Sequence, residues 1–299
     1  MLKSGKSIQR PRVVVFSFLD SRPDLTELVQ KLVEQVGSHA KVVGTYLESE
    51  EFSPPKSAVD FAIVFGGDGS ILSAGQQLAQ HEIPVLGVNL GKLGFLANVQ
   101  PDSLPKALKE ITSGNFQIID HIMLHCEATV GDEVVAEMEA LNEVSILGGA
   151  PFRILEIDLY VDRQLAASYN GDGLIVSTPV GSTAHNLSAG GPIVRKDLPV
   201  VVISPISPHT LTLRPVVDSA DREFELRVRV PRSCSVVVDG NVLCELTPKH
   251  RVRIKRSDRT FRMIEVSENN YYQTLRDKLG WGVSFAYSSP PQNKSKKKK

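Results

Sequence analysis

The stretch VDFAIVFGGDGSILSAGQQLAQ, Val59 to Gln80, decides the fold. Its first part, Val59 to Phe65, is apart from Asp60 an apolar, β-branched and aromatic run of strand length, and Ile71 to Gln80 carries apolar residues at helical spacing. Between them lies Gly66-Gly67-Asp68-Gly69-Ser70, so the chain passes from strand to helix through a turn almost without side chains. The same alternation extends to either side. Val13 to Phe18 and Lys41 to Leu47 read as strands, Asp24 to Val36 as a helix with its apolar stripe on Leu25, Leu28, Val29, Leu32, Val33 and Val36, and Ile83 to Val88 as a fourth strand. Strands alternating with helices predict a parallel sheet covered by helices, an α/β Rossmann-like domain over residues 1–120.

Past residue 120 the period changes to two. In Leu155 to Asp162, apolar Leu155, Ile157, Leu159 and Val161 alternate with polar neighbours, and Phe224 to Val230 does the same. Asp239-Gly240 between apolar flanks is a hairpin signal. A β-rich domain over 121–266 is expected. The segment 267–288, with Tyr272, Leu275 and Leu279 at helical spacing, is expected to return to the N-terminal domain, and 289–299 to form a disordered basic tail.

Composition narrows the function classes. The 299 residues are 41% apolar and 23% charged, which excludes fibrous and wholly disordered chains. Basic and acidic residues number 34 each, but five lysines (Lys294 and Lys296 to Lys299) sit in the tail, leaving the body acidic and without a nucleic-acid footprint. No apolar run approaches the roughly 18 residues of a membrane span, so the expectation is a cytoplasmic protein without a membrane partner. Cys126, Cys234 and Cys244 form no C-x-x-C pair and read as buried thiols rather than as a disulfide or zinc set.

Two familiar nucleotide signatures fail. Gly5-Lys6-Ser7 lacks the upstream glycine of a Walker A loop, and Gly87, Gly91 and Gly94 have the wrong spacing for a dinucleotide fingerprint. The Gly66–Ser70 turn is different, because glycines ahead of a helix N-terminus expose N–H groups to phosphate. Asp68 in that place is repulsive to phosphate unless it takes a proton from an attacking hydroxyl or holds a metal. From these five residues alone, helix capping by Asp68 competes evenly with catalysis. Tyr169 to Val194, YNGDGLIVSTPVGSTAHNLSAGGPIV, sets seven Ser, Thr or Asn residues and five glycines between strand-like runs, a composition suited to lining a polar ligand.

These blocks carry a resemblance. GGDGS at Gly66 to Ser70, GVNLGKLGFL at Gly87 to Leu96, LNEVSI at Leu141 to Ile146, GDGLIVSTPVGSTAHNLSAGGPI at Gly171 to Ile193 and YYQTLRDKLGWG at Tyr271 to Gly282 resemble, in order, the NAD kinases. The resemblance implies NAD held in a cleft between an α/β and a β-rich domain, in a homo-oligomer, dimer or tetramer. It matches Asp68 to the catalytic aspartate beside the adenosine 2'-hydroxyl, with Gly66, Gly67 and Gly69 admitting phosphates. Asn142 and Glu143 match the pair contacting ribose and adenine; Asp172, Thr183 and Ala184 match contacts to the nicotinamide and adenine ends, and Ser188 a further contact. Where the family commonly has Thr-Ala-Tyr, this chain has Thr183-Ala184-His185, and Asn170 stands where bacterial relatives often carry a basic residue.

The expected function is therefore Mg-dependent transfer of the γ-phosphoryl of ATP, or of polyphosphate, to the adenosine 2'-hydroxyl of NAD, giving NADP. Asp68 would be the general base, and no protein side chain is assigned to the metal. The alternatives are a lipid or sugar kinase sharing the GGDG turn, which would not need the Asn142 and Thr183 blocks, and a non-catalytic NAD(P) sensor, which the intact Asp68 disfavours.

Overall fold

The computed structural model describes residues 2–17, 23–47, 50–91, 94–97, 99–210, 212–229, 233–267 and 271–282. The expected basic tail and the end of the C-terminal segment, 283–299, lie outside them. In chain order the first part comprises β1 (Arg12–Ser17), α1 (Thr26–His39), β2 (Lys41–Leu47), β3 (Phe61–Gly66), α2 (Asp68–Ala79), β4 (Val85–Asn89) and α3 (Leu104–Ser113). There follow β5 (Gln117–Val130), β6 (Glu133–Ala140), β7 (Glu143–Gly148), β8 (Leu155–Val161), β9 (Gln164–Gly171), β10 (Gly173–Ser177) and the short α4 (His185–Ser188). The rest is β11 (Val200–Ile206), β12 (Val216–Ser219), β13 (Phe224–Val228), β14 (Cys234–Val238), β15 (Asn241–Glu245), β16 (His250–Glu265) and α5 (Tyr271–Leu279).

The parallel sheet is present as expected: β2, β1, β3 and β4 lie side by side, and β1–β2, β1–β3 and β3–β4 all pair parallel. The central strand β3 is apolar throughout because both its faces are covered, Phe61, Ile63 and Phe65 by one core and Ala62 and Val64 by another. On the first face α1 and α3 seat Val29, Leu32, Leu104 and Leu108; on the second α2 seats Ile71, Ala74 and Leu78, at the helical spacing the sequence shows. α2 begins at Asp68, three residues before the apolar spacing starts, because the turn itself is the first helical turn.

The β-rich part is less separate than the change of period implies. β16 pairs parallel with β4 at Met263↔Val85, antiparallel with β13 at Phe224↔Ile254, and along most of its length with β5. The large sheet of ten strands thus runs without interruption through eight of them, β2-β1-β3-β4-β16-β13-β8-β9, with β5 and β6 branching from β16, and position 120 falls inside β5. A second sheet of six strands, in the order β12-β11-β10-β7-β14-β15, lies against the antiparallel half of the first. A shared core, including Leu124, Val144, Ile157, Val176, Phe224 and Val236, fills the space between them. The β14–β15 hairpin turns at Asp239 and Gly240, both at positive φ (48° and 84°), as a type I′ turn requires. Cys126 and Cys234 are buried free thiols and Cys244 is half-buried. No helix among the described residues is long and apolar enough to cross a membrane.

Candidate active site

Asp68 does not cap its helix. Ser70 does, its hydroxyl accepting the Gly67 N–H at 3.3 Å, while the Asp68 carboxylate turns towards the loop after β4. There Oδ2 accepts the Phe95 N–H at 2.7 Å, and Oδ1 those of Leu96 and Ala97 at 2.8 and 3.0 Å. Gly94 makes this approach possible, since a Cβ there would stand 2.1 Å from Oδ1. Burial works to raise the Asp68 pKa, but the three backbone donors and the Lys278 ammonium prevail and hold it below the usual carboxylate range. Asp68 is therefore an anion throughout the neutral range. Gly67 and Gly69 have negative φ, and a Cβ at either would meet nothing within 4 Å. Neither backbone strain nor packing demands glycine at these two positions.

A second carboxylate repeats the device. Asp239, in the hairpin turn, accepts the N–H groups of Leu141, Asn142 and Glu143 at 2.7, 2.8 and 3.0 Å, and the Gln76 amide of α2 at 3.0 Å. It thereby fixes the Asn142–Glu143 step to the helix that begins at Asp68. Glu143 is buried, its Oε2 has no hydrogen-bond partner, and burial followed by the nearby Asp239 pushes its pKa up to about 8. A carboxyl left neutral at pH 7 with one oxygen unpaired can donate to, or accept from, a ligand hydroxyl or base.

The glycine-rich loop packs onto the same step. Thr178 donates its N–H to the Asn142 carbonyl at 2.8 Å and its hydroxyl to that of Leu141 at 2.6 Å, and a Cβ on Gly181 would lie 2.2 Å from the Asn142 carbonyl oxygen. Ser182 and Val194 bond to each other across the loop, with Val194 N–H to Ser182 Oγ at 3.0 Å. Asn186, buried, ties the loop to β11 through Ser204 at 2.7 Å. Two residues beyond Val194, Lys196 donates to the Phe95 carbonyl, while burial and the neighbouring Lys278 lower its pKa against the opposing Asp68 and Glu265. These links close a ring: Asp68, Phe95, Lys196, the 178–194 loop, Asn142, Asp239, Gln76 and back along α2. Leu141, Val180, Ile71, Leu96 and Ala97 pack in one core beneath it.

The ring brings together Gly66, Gly67, Asp68, Gly69, Asn142, Glu143 and the Thr183–Ala184 step. Thr183 and Ala184 are half-exposed, with the Thr183 hydroxyl donating to Val180 O at 3.2 Å. His185 and Ser188 are exposed at the two ends of α4. Asp172 lies elsewhere. It is exposed before β10, at the end opposite Ser177, which pairs with Glu143; five residues of strand separate them, about 16 Å at a rise of roughly 3.3 Å per residue. Asp239, Gln76, Lys196 and Lys278 were not singled out from sequence. Asp239 was visible only as a turn residue, and Lys278 lay unremarked inside the YYQTLRDKLGWG block. Among the described residues the group with metal-ligand spacing is His125, Glu127 and Glu137, which belongs to the outer face of β5 and β6 and not to this ring.

A ring of hydrogen bonds that holds an ionised carboxylate beside bare backbone at a helix start suits the transfer of a phosphoryl group to a hydroxyl, and the class this defines is a kinase acting on a small molecule. Comparison with known proteins makes that specific. Residues 16–116 match the ATP-NAD kinase N-terminal domain and residues 141–266 the ATP-NAD kinase C-terminal domain. An NAD kinase of Rhodopirellula baltica is 50% identical over 278 residues, covering 92% of this chain and 88% of its own. One of Pseudomonas entomophila is 40% identical over 227 residues, 75% of this chain and 76% of its own. Among solved structures, yeast NADH kinase complexed with NADH superposes with a TM-score of 0.82 at 20% identity, over 94% of this chain and 91% of its own. An Archaeoglobus fulgidus NAD kinase in complex with ATP gives 0.67 at 24% identity, over 89% and 99%. At these identities the two structures speak for the fold. The chain belongs to the NAD kinase family. It is an enzyme, a kinase.

Proposed function

We propose that this protein transfers the γ-phosphoryl of ATP to the adenosine 2'-hydroxyl of NAD, and that Asp68 is the group that receives the hydroxyl proton. The observation that carries the assignment of Asp68 is its placement: an anion held by three backbone donors beside open, glycine-flanked backbone. Its lowered pKa makes it a weak base. That suits a loose phosphoryl-transfer transition state, in which the hydroxyl needs aiming first and loses its proton only as the new O–P bond forms. Gly67 and Gly69 admit the donor phosphates to the first turn of α2, whose free N–H groups face them. Asn142 and the neutral Glu143 meet the ribose and adenine, and Thr183, Ala184, His185 and Ser188 border the rest of the dinucleotide.

Magnesium is proposed as the cofactor. Three of the roughly four lone-pair sites of Asp68 are filled by backbone N–H groups, so the carboxylate offers no cage of its own. The fitting arrangement is a cation carried in by the phosphates, whose charge it offsets. The position of Asp172, far from Glu143 within one chain, accords with a homo-oligomer in which the dinucleotide meets a second copy. A cytoplasmic location accords with the lack of a membrane-spanning helix among the described residues. The test is direct: purified protein with Mg-ATP and NAD should yield NADP, read with a dehydrogenase that accepts only the phosphorylated form. EDTA should stop the reaction, and polyphosphate in place of ATP reports donor range. Absence of NADP with either donor would refute the proposal.

A further inference from the structure

The fourth acceptor site of Asp68 is occupied. Of its two oxygens, Oδ1 takes Leu96 and Ala97 and Oδ2 takes Phe95, which leaves one position on Oδ2 for any hydroxyl. That position holds the Lys278 ammonium, 3.3 Å away, sent in by α5 from 210 residues further along the chain. The same ammonium lies 4.5 Å from the centre of the Phe95 ring, and its side chain is 27% exposed. α5 is itself fixed on the site, with Leu275 buried and the Tyr271 hydroxyl 3.4 Å from the Val194 carbonyl at the end of the glycine-rich loop. A substrate hydroxyl that is to reach Asp68 must displace Lys278.

We propose that Lys278 is a catalytic residue that guards the fourth acceptor position of Asp68 until the substrate hydroxyl arrives and moves onto the transferred phosphoryl group in the ternary complex. The inference rests on the NAD kinase reading above. In the step, the 2'-oxygen attacks the γ-phosphorus and forms the new O–P bond, while the bond from that phosphorus to the β,γ-bridging oxygen breaks and its electron pair leaves with ADP. The hydroxyl proton passes to Asp68 as the carboxylate loses its ammonium partner. Lys278 transfers no proton; it donates hydrogen bonds to the non-bridging oxygens as charge spreads over them. The flexible lysine stem makes the short shift possible while α5 stays docked.

The test compares Lys278→Met with Lys278→Arg. Methionine keeps an apolar stem on Phe95 and removes the charge. For Lys278→Met the expected kcat is lower by about 10²- to 10³-fold, while the Kd for NAD measured without donor tightens by about two- to fivefold, because a weak, partly exposed ion pair no longer competes for Oδ2. Lys278→Arg should recover part of kcat. A kcat for Lys278→Met within about threefold of the parent would overturn the proposal. So would a fall in kcat matched by an equal loss of NAD affinity and not relieved by arginine, since that pattern belongs to a residue that only anchors α5. Thermal melting of both variants identifies an anchoring defect independently. A parent protein that makes no NADP at all would instead refute the kinase reading itself.

Discussion

Substituting Gly69 by alanine separates what the glycine turn does for the ligand from what it does for the fold. Gly69 is the second residue of α2, has no positive φ, and an added Cβ would meet nothing within 4 Å. Alanine in a helix is favoured over glycine by about 0.5–1 kcal/mol, and near a helix start the lower figure applies. For a chain of 299 residues that corresponds to a rise in Tm of about 1 °C. If the donor phosphates occupy the open space above the turn, as proposed, a methyl group there displaces them by about an ångström. Misplacement on that scale costs on the order of 10²-fold in rate. Scanning fluorimetry and initial rates at varied ATP, coupled to an NADP-specific dehydrogenase, should therefore show a protein as stable as the parent or slightly more so, with a kcat/KM for ATP reduced by about two orders of magnitude. Unchanged kinetics would mean that no phosphate approaches this turn, and a lower Tm would mean that glycine is there for the fold.

Two further outcomes follow from the Asn142–Glu143 side of the ring. Asp239→Asn keeps a residue that tolerates the left-handed turn but gives up an acceptor for buried backbone N–H groups, so stability should fall by about 2–4 kcal/mol in urea unfolding and KM for NAD should rise; a ΔΔG under about 0.5 kcal/mol would show that the carboxylate is not what holds this step. Glu143 has a folded pKa raised from 4.5 to about 8, so its contribution to stability is complete below its unfolded pKa and is lost as pH rises through the folded one. Tm should therefore decline from about pH 5 to about pH 8 in the parent and decline less in Glu143→Gln; equal slopes would place the neutral carboxyl elsewhere.

The parts of the fold legible in the sequence are those whose partners are close along the chain. The β3–turn–α2 unit and the Asp239-Gly240 hairpin each announce themselves through local period and turn chemistry. β16 did not. Its alternation is broken where pairing with β5 shifts register between Arg256 and Thr260, and its role in joining the parallel and antiparallel halves depends on β4 and β13, both distant in sequence. The site divides the same way. From its five residues alone the Asp68 turn reads equally as a helix cap and as a phosphate site, and the family resemblance is what separates the two and makes Asn142–Glu143 visible. Asp239, Lys196 and Lys278 act across separations of 96 to 210 residues, and nothing adjacent to them distinguishes a turn aspartate or a surface lysine from one that closes an active site.

Asp68→Asn is the sharpest test of the account. Asparagine preserves the size of the side chain and one acceptor for the Phe95–Ala97 loop while removing the negative charge and nearly all basicity. With Mg-ATP and NAD at saturation, kcat for NADP formation should fall by about 10²- to 10⁴-fold, with KM for NAD changed little. A variant that turns over like the parent would contradict the assignment of the hydroxyl proton to Asp68.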